Sequence, residues 1–337
     1  MKLFAWMLIL ASMVVAQKPL TLASQGSFFV GGEYKTMPAN GRGAPGEITI
    51  NQMYVQYQIP VNGAQHVPVV MVHGCCLSSK TWETTPDGRM GWNEYFVRRD
   101  RSVYLADQSS RARSGFDPST IAAVKAGTAK PSELPNVLAA THQTAWSVFR
   151  FGPKFGEPFA DEQFPIEAMD ELYKQMIPDL NSTLPNPNPT WKNMAALAVK
   201  LNGAILMGHS ESGFFPEQAA LIDSKGIKGL ISIEMPCAEL KPAEIAALAK
   251  IPTLVMFGDH LSDVQGGPAN WNTSFESCNK FVQQLKDKGG DAEMMYLPKM
   301  GIKGNSHMLM QDRNNLQLAD LILKWIDGHV EAKKKAR

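Results

Sequence analysis

Beyond its first residues the sequence has no apolar run approaching the roughly 20 residues that cross a bilayer, so neither a membrane span nor a membrane partner is expected. It has no surplus of charge either: 33 Lys and Arg stand against 32 Asp and Glu, a formal net charge of +1. That balance points to no polyanionic partner, so no nucleic acid is expected. The one concentrated run of charge, Lys333-Lys334-Lys335-Ala336-Arg337, reads as a solvated end. No internal repeat is present, which excludes a solenoid. No cluster of ligating side chains has metal-site spacing, and Gly31-Gly32 is too isolated for a dinucleotide fingerprint. Neither a metal nor an organic cofactor is therefore expected.

What is present begins with a leader. Lys2 supplies a positive start, Leu3 to Val15 is apolar, and Ala16 ends the run with a small residue. Residues 1–16 read as a secretory signal peptide with cleavage after Ala16, placing the protein outside the cytosol, secreted or periplasmic. The remainder, 17–337, reads as one domain with an insertion. Cysteines are scarce: Cys75, Cys76, Cys237 and Cys278. An even number in an exported chain suggests two disulfides, with three pairings open. A bond between the neighbours Cys75 and Cys76 would be strained, because adjacent Cα atoms lie about 3.8 Å apart, below the usual disulfide range of about 4.4–6.8 Å. Free buried thiols are the alternative. Asn181-Ser182-Thr183 and Asn272-Thr273-Ser274 are glycosylation sequons.

Short apolar runs punctuate the chain. Ser27 to Val30 and Ile48 to Ile59 read as early strands, the second alternating as an antiparallel edge does. Pro68 to Val72, Ser102 to Ala106, Ala204 to Met207, Ile227 to Ile233, Ile251 to Phe257 and Ala292 to Leu297 follow. Strands this apolar, separated by helix-sized segments, imply a mostly parallel sheet covered on both faces by helices. Helices are expected at Thr190 to Leu201, Gly213 to Ser224 and Asn315 to Asp327. Residues 115–189, rich in Pro, Phe and Trp, interrupt the rhythm and read as a cap insertion.

Gly208-His209-Ser210-Glu211-Ser212-Gly213 resembles the G-x-S-x-G nucleophile elbow, with Ser212 where the second glycine belongs. It follows an apolar strand and precedes a helical stretch, the context that lifts a serine hydroxyl clear of a sheet. A serine is a poor nucleophile without a base. Three of the seven histidines lie beyond the elbow. His307 sits in a Gly- and Asn-containing loop after the last strand, where this fold places its base. His260 reads as a pocket or surface residue, and His329 as a solvated one. Two strand ends compete for the acid: Glu234 after the sixth strand, and Asp259 or Asp263 after the seventh. Either is in reach, so the residues leave the choice open. The oxyanion hole should use the backbone N–H groups of Glu211 and Cys75.

The segments Val72-His73-Gly74-Cys75-Cys76-Leu77, Thr81-Trp82-Glu83-Thr84-Thr85-Pro86-Asp87-Gly88-Arg89-Met90-Gly91-Trp92, Asp107-Gln108 and Arg111 to Ser114 resemble the esterase 713-like family of bacterial α/β-hydrolases. The resemblance runs from about Gly26 to the closing helix. It implies the α/β-hydrolase fold, an exported ester hydrolase and a homodimer. It also implies Cys75–Cys76 and Cys237–Cys278 pairing, and a triad of Ser210, Glu234 and His307. The sequence departs in having Glu211 where glutamine is expected, and Ser109-Ser110 in place of a glycine-containing pattern. A serine carboxylic-ester hydrolase acting on a small-molecule ester is the reading. The alternatives are a lactonase or amidase on the same site, or a non-catalytic binding protein of this fold.

Overall fold

The computed structural model describes residues 18–39, 43–180, 184–264 and 270–332. The leader, the Asn181 sequon and the basic tail lie outside the described residues. Eight strands form one sheet: β1 (Leu22–Met37), β2 (Gly46–Pro60), β3 (Val69–Val72), β4 (Val103–Asp107), β5 (Ala204–His209), β6 (Ile227–Ile233), β7 (Thr253–Phe257) and β8 (Ala292–Tyr296). Their order is β1-β2-β4-β3-β5-β6-β7-β8. β1 and β2 are antiparallel to each other, and β2 to β4; every other pairing is parallel. The apolar runs sit in the sheet as expected. β1 is longer than Ser27 to Val30 because pairing with β2 carries it through polar residues, from Leu22↔Pro60 to Met37↔Gly46.

The parallel strands are buried on both faces, which is why they read as continuous apolar runs rather than alternating ones. Met71, Ile205, Met207, Ile231, Ile233, Leu254 and Met256 fill one core layer. Val70, Val72, Leu206, Leu230, Val255 and Phe257 fill the other. Helices α1 (Trp92–Arg98), α2 (Ser119–Lys125), α3 (His142–Val148), α4 (Met169–Gln175), α5 (Pro189–Lys200), α6 (Phe215–Ile222), α7 (Pro242–Leu248), α8 (Trp271–Asp287) and α9 (Asn315–Ile326) flank it. The first layer packs against α1, α3, α4 and α9, through Phe96, Trp146, Leu172 and Ile322 among others. The second packs against α5, α6, α7 and α8, through Leu197, Phe215, Leu248 and Phe281. Each such side chain contributes roughly 1.5–3 kcal/mol on burial. Among the described residues no helix is long and apolar enough to cross a membrane.

Between β4 and α5 the described residues contribute no strand to the sheet; they form α2, α3, α4 and short turns. Isolated bridges within this segment join Leu138 to Asp179 and Lys154 to Glu157. Cys237, just after β6, is bonded to Cys278 on α8. That bridge closes a separation of 41 residues, and cross-links of this span typically contribute 2–4 kcal/mol. The expected Cys75–Cys76 bridge is corrected: both are free thiols, Cys76 buried. Their sulfurs and a carboxylate oxygen of Asp179 lie within 4.8 Å of one another. A bond between adjacent residues would force the intervening peptide out of its relaxed geometry, and the open arrangement avoids that.

Candidate active site

In a parallel sheet every strand of the parallel set ends on the same edge, and loops gather there. Ser210 follows β5 and opens a single 3-10 turn, Ser210–Ser212, that leads into α6. The helix begins two residues later than Gly213, because the tight turn comes first. Ser210 has φ +57°, in the left-handed region that costs a non-glycine residue about 1–2 kcal/mol. The surroundings hold it there. Gly208 has no room for a side chain, since a Cβ would lie 1.9 Å from the Ser212 carbonyl oxygen. Ser212 stands in for glycine without crowding the turn: its Oγ donates to the Val72 carbonyl (2.9 Å) and accepts from His209 N–H (3.1 Å). The hydroxyl thus ties the elbow to β3.

Glu234 follows β6, also with a left-handed backbone at φ +53°. Its carboxylate is fully buried and has four donors. Arg150 grips it with Nη1 on Oε2 (2.8 Å) and Nη2 on Oε1 (2.7 Å). Gly258 N–H donates to Oε1. His307 Nδ1 donates to Oε2 at 3.2 Å. Gly258 is needed at this point, since a Cβ would lie within 3.0 Å of the carbonyl oxygens of Asn305 and Ser306. Burial alone would push the Glu234 carboxyl up, but Arg150 and His307 outweigh it and hold it down at about 2.

His307 lies in a loop fastened on every side. Its N–H donates to the Phe149 carbonyl (2.9 Å), and the Phe149 ring stacks on its imidazole. Asp312 accepts from Ser306 N–H (3.0 Å), Ser306 Oγ (2.6 Å) and Asn305 Nδ2 (2.8 Å). With Nδ1 donating to Glu234, Nε2 carries the lone pair. That atom is buried and has no hydrogen-bond partner among the described residues. Burial pushes the imidazole below its ordinary pKa of 6.5 and the charge of Arg150 adds to this; Glu234 offsets only part. The neighbouring His209 ring lies 4.6 Å away, centroid to centroid, its Nε2 donating to the His307 carbonyl at 2.9 Å.

Asp259 is engaged elsewhere. Its Oδ2 accepts from Gly304 N–H (3.0 Å) and its Oδ1 from His260 N–H (2.8 Å). The strand end after β7 therefore braces the histidine loop without touching the imidazole. Asp263 pairs with His260, as does Asp161 (both 2.9 Å). His329 is half-exposed, bonded to Asp291 at 2.7 Å and stacked on Trp325.

The loop after β3 approaches the elbow so closely that a Cβ on Gly74 would lie 2.7 Å from Ser210 Cβ. Gln108 N–H donates to His73 Nε2 (3.2 Å), so His73 Nδ1 carries the proton donated to the Gly74 carbonyl (2.9 Å). Burial holds His73 down at about 4, consistent with that neutral tautomer. Ile177 N–H donates to the Cys76 carbonyl (2.9 Å). The Glu211 carboxylate accepts from Gln108 Nε2 and Arg111 Nη2, both at 3.2 Å. Burial and the adjacent Asp179 raise Glu211 to about 6, against the pull of Arg111.

Sequence reasoning missed Arg150, Phe149 and Asp312. The available signal was an arginine between Phe149 and Phe151, which needs a counter-charge if buried.

No family model matches the chain. Among solved structures it is similar to a novel bacterial esterase, at 48% identity and a TM-score of 0.89, covering 93% of this chain and 98% of that one. It is also similar to a probable secreted lipase, phiG, of a fungal species (strain ATCC 74256), 24% identical over 350 residues, with 89% of this chain and 88% of the relative covered.

Proposed function

This chain belongs to an esterase family of the α/β-hydrolase superfamily and hydrolyses carboxylic esters, and from that premise we propose that it works as an exported serine esterase through an acyl-enzyme on Ser210. Ser210 Oγ attacks the carbonyl of a small-molecule ester while His307 Nε2 takes its proton. Backbone N–H groups of Cys75 and Glu211 hold the oxyanion. His307 then protonates the leaving alcohol, and water repeats the sequence to release the acid. Glu234 keeps the imidazole in the tautomer with Nε2 open and stabilises its cation. The segment 115–189 covers the site as a cap. Export follows from the leader at residues 1–16.

One observation supports this most: a buried, neutral imidazole, oriented through Nδ1 by an ionised carboxylate and with Nε2 left open, in a loop whose His307 carbonyl is bonded by His209, the residue before the serine at the strand-to-helix turn. Rapid mixing with p-nitrophenyl acetate should give a nitrophenolate burst equal to the enzyme present. Mass spectrometry of acid-quenched protein should place the acetyl group on Ser210. Acetyl on another residue, or steady turnover with no covalent species, contradicts the proposal.

A pH profile follows from the same groups. The active form carries neutral His307, whose folded pKa is lowered, so kcat/KM should be full at neutral pH and fall only as pH drops through that lowered value. The acid limb should be half-maximal below about 6.5. Glu211 titrates near the same range, at about 6, so the profile is best recorded in a Glu211→Gln background. A limb centred above the ordinary histidine range would contradict the assignment.

A further inference from the structure

We propose that Arg150 is a positioning residue that holds Glu234 as a carboxylate aimed at His307, and so sets the pH at which the base becomes available. The inference rests on the Ser210–Glu234–His307 reading above and extends it to a residue outside the triad, carried by the segment between β4 and α5.

The geometry is closed. The guanidinium is wholly buried. Its two Nη atoms take both oxygens of Glu234, and its Nε donates to the Asp259 carbonyl at 2.8 Å. One side chain therefore ties together the loops that end β6 and β7. Its Cζ lies 5.3 Å from the Trp271 ring centroid, and the same Trp271 ring lies 4.3 Å from that of His307. Glu234 Oε2 is shared: Arg150 Nη1 and His307 Nδ1 both donate to it. The fork fixes where that oxygen sits, and the oxygen fixes the imidazole. The preceding residue completes the arrangement, since the Phe149 carbonyl accepts the His307 N–H.

A lone carboxylate in such a site would take up a proton or recruit water. With the arginine in place, the unit of Arg150, Glu234 and neutral His307 carries no net charge, and protonation raises it to +1. Without the arginine the same step runs from −1 to neutral and is easier. The pair titrates as a unit, so its apparent pKa must rise whichever member holds the proton. Other titratable groups facing the pair are His209 against His307, Glu162 and Asp312 around Arg150, and Tyr296, which interacts with both Arg150 and Glu234. The substitutions leave all of these in place.

The test compares Arg150→Met with Arg150→Lys, both in the Glu211→Gln background so that Glu211 does not titrate. For Arg150→Met we expect kcat to fall about 10²-fold, as for a small misplacement of a catalytic group. KM should change little, and the acid limb of kcat/KM should move up by about one unit or more. Arg150→Lys keeps the charge and loses the fork, so the limb should stay in place while kcat falls roughly tenfold. An unmoved limb in Arg150→Met overturns the proposal, as does wild-type kcat in Arg150→Lys. If Arg150→Met does not fold by circular dichroism, the lysine variant decides: wild-type kcat, or a moved limb, overturns it. Glu234→Gln separates the two levels. A fully active Glu234→Gln refutes the choice of acid, whereas a crippled one beside an unaffected arginine series refutes only the role of Arg150.

Discussion

Replacing Ser210 with alanine should lower kcat on a short-chain p-nitrophenyl ester by about 10⁴–10⁶-fold, the range found when a serine nucleophile is removed from an intact site. KM should stay within a few-fold, because the oxyanion donors are backbone groups and remain. The fold should survive. Alanine tolerates the φ of +57° no better and no worse than serine, so the urea midpoint should barely move. Ser210→Gly should be equally inactive yet more stable by about 1 kcal/mol, since glycine adopts that conformation without strain. The pair of variants separates chemistry from folding. Residual turnover above a hundredth of wild type in carefully purified Ser210→Ala would remove the nucleophile from the mechanism.

The second large effect distinguishes two carboxylates. Glu234→Gln should lower kcat by about 10³–10⁴-fold, comparable to loss of the triad acid in serine proteases. The amide cannot stabilise the imidazolium, and it presents an NH₂ group to either Arg150 or His307, both of which donate. It also leaves the buried guanidinium without a counter-charge, so stability should fall as well. Rates must therefore be scaled to the folded fraction. Asp259→Asn should cost less than about tenfold, as expected where a contact only braces a neighbouring loop. Its oxygens accept backbone N–H groups from Gly304 and His260, and asparagine keeps one of these acceptors. A loss confined to Asp259→Asn would reverse the assignment.

Much of this was visible in the sequence because it is local. The apolar runs become strands buried on both faces, and their ends carry the polar residues that matter: Ser210, Glu234 and Asp259. The loop before α9 holds His307 because Gly304, at φ +72°, permits its turn and Asn305 bonds across it to Asp312. What escaped reading is pairing at a distance. Arg150 and Glu234 lie 84 positions apart, and no periodicity links them. The length of β1 was missed for the same reason, since its partner β2 and not its own composition extends it. The two thiols at Cys75 and Cys76 show the opposite failure: the family resemblance implied a bond, against the spacing of adjacent residues, and both thiols are free.

The attachment of the segment between β4 and α5 bears on how such enzymes can diversify. In many scaffolds a lid is a removable accessory, trimmed or exchanged to retune selectivity. Here the Phe149 carbonyl accepts from His307 N–H, and the Arg150 guanidinium pairs with Glu234. On the proposed mechanism, a deletion or graft across this stretch would strip His307 and Glu234 of their counter-ion. With Arg150 in the role proposed above, exchanging this segment for one without an equivalent arginine should yield a feeble enzyme.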